Sequence, residues 1–151
     1  MGIPQEPKPA KYFVALLSPH ADLLAAIEND LIQYLGDIDL RSEILPWTVS
    51  AYYEKEMGPG LLRRFVAFMP LLSPGLLAEI KLKTQKMEDR YRAGAPPTSR
   101  KVNLDPGYLE VGKVVLASTK NAAHRIYLQS GIYGETTLLY YDGAFQSSRH
   151  T

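Results

Sequence analysis

RKVNLDPGYLEVGKVVLASTK, residues 100–120, is the stretch on which the fold turns. Its first six residues set Val102 and Leu104 against Lys101, Asn103 and Asp105, the two-residue period of a half-exposed strand. Residues 105–120 read in two ways. Asp105-Pro106-Gly107-Tyr108 suits a type II turn, after which Val111, Val114 and Val115 continue as a strand. Alternatively, Asp105 caps and Pro106 opens a helix whose apolar side is Leu109, Gly112 and Leu116. The spacing leaves both open, and the balance falls on a helix over 108–120.

The elements upstream are plainer. YFVALL (12–17) and RRFVAFM (63–69) are continuous apolar runs with aromatic and β-branched members, as in strands covered on both faces. Residues 38–44 alternate, Ile38, Leu40 and Ile44 against Asp39, Arg41 and Glu43, and predict a half-exposed strand. Ser18-Pro19 and Ser73-Pro74 each carry a capping side chain followed by a residue suited to a first helical turn. Leu24, Ile27, Leu31 and Leu35 then recur at helical spacing, with Gly36 placed to stop the helix. In the second helix the stripe is Leu77, Ile80, Thr84, Met87 and Tyr91, with Lys81, Lys83, Lys86 and Arg90 mostly off it. Residues 94–99 read as a loop.

This order is β-α-β-β-α-β, so the expectation is an α+β, ferredoxin-like antiparallel sheet with two helices on one face. Residues 125–145 carry two hairpin signals, Ser130-Gly131 and Asp142-Gly143, and are expected to form a C-terminal β-hairpin extension over part of the other face. Residues 1–10, with three prolines and no apolar period, read as an extended arm; 11–145 as a single domain; 146–151 as a tail.

Composition narrows the chemistry. The chain has 151 residues, 46% of them apolar, enough for one core and too few for two ordinary domains. It has no cysteine, which removes disulfides, thiolate metal sites and a cysteine nucleophile. No apolar run approaches the roughly 20 residues of a membrane span, and the expected setting is soluble and cytoplasmic with no membrane partner. A net charge of +1 argues against nucleic acid held by phosphate neutralisation. The charge is nonetheless uneven: residues 1–60 carry nine acids against four bases, and residues 61–151 thirteen bases against seven acids. Such asymmetry can steer an anionic ligand to one surface.

Motif tests are mostly negative. Gly107 to Lys113 has GxxxxGK spacing, but Val114 stands where a P-loop needs Ser or Thr for magnesium. Phe65 and Phe68 are three apart, whereas base-stacking aromatics on one strand face sit two apart. His20, His124 and His150 are scattered, so no metal site is predicted. What remains is a polar constellation. Lys113, Lys120 and Arg125, with Asn103, can hold an anion. His124 titrates near neutrality and can move a proton, oriented by Asp105; these two are the candidate catalytic residues. Tyr53 and Glu56 come from an aromatic loop whose Gly58-Pro59-Gly60 end suits a mobile lid.

ILPW, YYEKEMGPGLLRRF, IKLKT, RKVNLDPGYLEVGKVVLASTK and HRIYLQSGIYGETTL together resemble a small prokaryotic family catalogued as a domain of unknown function, often labelled GTP-binding protein. The resemblance spans about residues 8–141 and implies a small bacterial or archaeal cytoplasmic protein; no cofactor is predicted, and GTP enters only through the family label. It implies no established activity. The first expectation is therefore binding of a small anionic or nucleotide-type ligand, with or without catalysis. A non-catalytic interaction domain, including a homo-oligomer formed through sheet edges, is the alternative, and an RNA-binding module the third.

Overall fold

Thirteen short elements follow one another among the described residues. They are β1 (Ala10–Ser18), α1 (Ala21–Leu35), β2 (Ile38–Arg41), β3 (Leu45–Pro46), α2 (Glu54–Met57), β4 (Leu62–Leu72), a 3-10 turn (Pro74–Leu76), α3 (Leu77–Arg90), β5 (Asn103–Glu110), β6 (Lys113–Ser118), β7 (Arg125–Gln129), β8 (Ile132–Tyr141) and β9 (Ala144–Ser147). The computed structural model describes residues 1–48, 51–94 and 99–148. Most of the loop expected at 94–99, and the last three residues of the expected tail, lie outside the described residues.

All nine of these strands belong to one antiparallel sheet in the order β2-β4-β1-β5-β6-β8-β7, with β3 added to β4 and β9 to β8. The ferredoxin-like expectation, two helices on one face with a C-terminal hairpin over the other, is therefore corrected. The physical reason lies at the outer edge of β5. That edge is not left bare or folded over; β6 takes it up through a tight turn at Val111-Gly112, and β8, β7 and β9 continue the same sheet edge-on. The helix expected over 108–120 is likewise replaced by two strands. Leu109, Val114 and Leu116 share one face only because the turn at 111–112 resets the alternation, and the reset imitates helical spacing.

Asp105-Pro106-Gly107 is neither a turn nor a cap but the middle of β5. In an antiparallel ladder, alternate residues send both backbone groups to the same side. Leu104 sends its N–H and C=O away from β1, since they meet α3 side chains, so Pro106 points its missing donor the same way. The β5–β6 ladder begins only at Gly107, so proline costs no ladder bond there.

One face of the sheet holds the core. Tyr12, Val14 and Leu16 of β1 and Val66 and Phe68 of β4 are fully buried against Leu24, Ile27 and Leu31 of α1 and Ile80 and Met87 of α3. Tyr12 donates its hydroxyl to the Ser73 carbonyl at 2.8 Å, and burial raises the phenol's pKa above its ordinary value. Tyr12→Phe is expected to lower the unfolding free energy by about 1 kcal/mol, by equilibrium urea denaturation, because the Ser73 carbonyl loses its partner. Ser73 also accepts from the Gly75 N–H and starts the turn into α3. Ser18, by contrast, ends β1, and α1 begins after His20.

The other face is only partly covered. The C-terminal third does not reach over it, and Phe65 of β4 remains 44% exposed. Instead residues 51–61, ahead of β4, fold over one end, where Leu17, Met57 and Leu61 form a small second core packed against Trp47 and Tyr53. The hairpin signals at 130–131 and 142–143 are both turns; Ser130 and Gly131 have φ of 54° and 79°, the left-handed pair that a two-residue hairpin requires.

Candidate functional site

Beyond Gly107 and Leu116 the pairing of β5 with β6 stops, while β6 continues along β8 to Ser118. The two strands thus flank a cleft whose floor is α3. The cavity is about 330 Å³ and is lined mainly by polar groups, among them Lys81, Glu88, Asn103, Asp105, Lys120 and Arg125. Its volume is that of a small-molecule site at the lower end of the usual range.

Each wall follows from a local need. The unpaired edge of β5 leaves Leu104 with two backbone groups to satisfy, and α3 supplies both partners. The Leu104 N–H donates to Glu88 Oε2 at 2.7 Å, and Lys81 Nζ donates to the Leu104 carbonyl at 3.1 Å. Glu88 is 4% exposed and Lys81 7%, so both ionisable side chains enter the interior because the sheet has a gap. Burial pushes the Glu88 carboxyl up to about 7, against the opposing pull of Lys81.

Arg100 organises the next layer. Its guanidinium donates to both oxygens of Glu56, from Nη2 at 2.9 Å and Nε at 3.1 Å, and from Nη1 to Asn103 Oδ1 at 2.7 Å. The Asn103 amide then donates to Asp105 Oδ2 at 2.9 Å. The hydrogen bond from Arg100 holds the Glu56 carboxyl below its ordinary pKa. This chain of charge-assisted bonds anchors the aromatic loop to the start of β5.

The mouth belongs to Lys120 and Arg125. Arg125 donates from Nε to Glu135 Oε1 at 2.9 Å and from Nη1 to the Lys120 carbonyl at 3.0 Å, so its guanidinium is tied both to β8 and to the Lys120 backbone. Lys120 Nζ donates to the Tyr52 hydroxyl at 2.8 Å, and that hydrogen bond lowers the Tyr52 pKa.

Of the residues singled out from sequence, Asn103, Asp105, Lys120, Arg125 and Tyr53 line the cleft, and Glu56 braces it through Arg100. Two lie elsewhere. Lys113 sits at the far end of β6, paired with Glu110 at 2.6 Å. His124 is not in the lining; its Nε2 lies 2.8 Å from Glu135 Oε1, so Glu135 rather than Asp105 orients it. Sequence reasoning missed Lys81, Glu88 and Arg100 as site residues. Lys81 and Glu88 are seven apart on α3, along one border of its apolar stripe, a spacing that could have marked them as sharing a face. Among the described residues no group of three or more His, Asp or Glu side chains is disposed to hold a metal, and no helix is long and apolar enough to cross a membrane.

In comparison with known proteins, a family model described as "Domain of unknown function (DUF4416)" matches residues 8–151. No curated protein and no solved structure matches.

Proposed function

The chain belongs to that family, whose description carries no activity, and we propose from its own residues that the β5–β6 cleft binds a small phosphorylated or carboxylated ligand. The observation that supports this is the convergence on one cavity of Lys120 and Arg125 at the mouth and Lys81 on the floor. Lysine has three donors and arginine five; Lys120 and Arg125 are held in place by Tyr52, Glu135 and each other, and keep donors for an incoming anion. Immobilised cations lose less entropy when they bind. Glu88, on the floor and titrating near neutrality, is the group placed to exchange a proton with such a ligand. A nucleotide such as GTP would enter phosphate first, with Tyr52 and Tyr53 beside the mouth.

Thermal unfolding with inorganic phosphate, succinate or GTP tests the reading. A ligand at 100 times its Kd stabilises the native state by about 2.7 kcal/mol, roughly 5–10 °C for a chain of this size. The double substitution Lys120→Ala/Arg125→Ala is expected to abolish the shift while the unliganded protein still unfolds cooperatively. A shift of unchanged size in that variant would remove the cleft as the site.

A further inference from the structure

Arg63 of β4 lies opposite Leu17 of β1, on the sheet face turned away from the helices. Trp47, just after β3, stacks over it. The Trp47 ring centre stands 4.4 Å from the guanidinium carbon, that of Phe65 5.8 Å, and Arg63 is only 8% exposed. Stacking accounts for the faces of the guanidinium but not for its edge. Arg63 Nε, Arg63 Nη1 and Trp47 Nε1 are all buried and have no hydrogen-bond partner among the described residues. Among the described residues no carboxylate approaches Arg63 closely enough for an ion pair.

An arginine cannot escape such a position by losing its proton. Burial lowers its pKa, while the nearby Asp105 and Tyr53 oppose that change from beyond contact range. The charge therefore persists, enclosed by aromatic rings, with two N–H groups and a neighbouring indole N–H unused. All three orphan groups are donors. What this place lacks is an acceptor, and a negatively charged one with several oxygens would answer both the unused donors and the uncompensated charge.

We propose that Arg63 and Trp47 form a second binding site, on the sheet face turned away from the helices, for a small oxyanion group, a carboxylate or a phosphate. The site rests on its own donors and not on the β5–β6 cleft. One edge of the guanidinium, Nη2 with either Nε or Nη1, would hold two oxygens of the anion, and the Trp47 indole would donate to it from the stacked plane. The Trp47 backbone N–H donates to the Leu61 carbonyl at 2.8 Å and so fixes the indole over Arg63.

Trp47 is the only tryptophan in the chain, so its fluorescence reports on this place alone. The experiment titrates the full chain with sodium phosphate and, separately, sodium succinate at constant ionic strength, following tryptophan emission. A saturable change with phosphate assigns a phosphate site, and one with succinate a carboxylate site. Arg63→Met, which keeps the bulk of the side chain, should weaken that response by about tenfold or more, whereas Lys120→Ala/Arg125→Ala should retain it. If Arg63→Met fails to fold, Arg63→Lys, with a charge but no fork, should weaken it by several fold. No saturable change with either anion, or a substituted protein that titrates like the wild type, overturns the proposal. Because the cleft is read by the thermal shift and this site by Trp47, each can fail without the other.

Discussion

Gly107→Ala lowers the melting temperature by roughly 6–12 °C, the counterpart of about 3 kcal/mol in a chain of this length. A Cβ at this position would stand 2.5 Å from the Val115 carbonyl oxygen, 2.7 Å from Phe13 Cζ and 2.9 Å from Leu116 Cδ2. The two side chains can swing aside. The carbonyl cannot, because it belongs to the β5–β6 ladder, whose last pair joins Gly107 to Leu116. Elsewhere in a strand the same change is expected to gain about 0.5–1 kcal/mol through reduced chain entropy, so close approach reverses the sign here. Gly112→Ala serves as the control: nothing lies within 4 Å of its added Cβ, and its melting temperature should hardly move. Calorimetry on both variants checks the contrast, and equal effects would refute it. Since the cleft opens where this pair ends, the Gly107 variant should also lose ligand-induced stabilisation.

Glu88→Gln is expected to stabilise the protein by roughly 3 kcal/mol at pH 8 and to change little at pH 4.5. The native carboxyl, raised by burial to about 7 from an ordinary 4.5, keeps a proton in that window that the unfolded chain has already released. Stability from this group is therefore complete below pH 4.5 and is lost as pH rises through 7. Glutamine keeps an acceptor for the Leu104 N–H and never takes a charge. The Glu56 carboxyl, held low by Arg100, works the other way: its contribution is present above 4.5 and lost as pH falls. The difference between wild type and Glu88→Gln isolates Glu88 from that background. Unfolding free energies measured across pH 4.5–8 test it, and a difference independent of pH would show that the Glu88 carboxyl titrates alike in the folded and unfolded chain.

The strands β1 and β4 were legible because Tyr12 to Leu17 and Phe65 to Phe68 are continuous apolar runs, but the cover expected on both faces holds for β1 better than for β4, where Phe65 is left 44% exposed. The helical stripes and the left-handed hairpin turns were legible for the same local reason. The segment from Asp105 to Lys120 was not. Its Asp-Pro-Gly start carries turn and cap chemistry, yet it runs straight through β5, because Pro106 meets an edge with no ladder to interrupt. Site residues divide in the same way: Asn103, Asp105, Lys120 and Arg125 could be named from a polar cluster in one segment, but Lys113 left the group once β6 was seen to carry it to the far end. Lys81 lies off the apolar stripe of its helix in sequence and is buried all the same, as is Glu88.

Taken alone, the amino-acid order determined that residues 12–17 and 63–69 would be strands and that the stripes starting at Leu24 and Leu77 would be helices, and it gathered the polar groups of residues 103–125 into one stretch of chain. Only the tertiary structure decided that the C-terminal strands extend the sheet instead of covering it, and that the ladder between β5 and β6 breaks after Gly107. The reason is one of range. Apolar period and turn chemistry act over a few residues and are written into neighbouring side chains, whereas the pairing of an edge, and the charges drawn in to satisfy it, depend on which distant backbone arrives beside it.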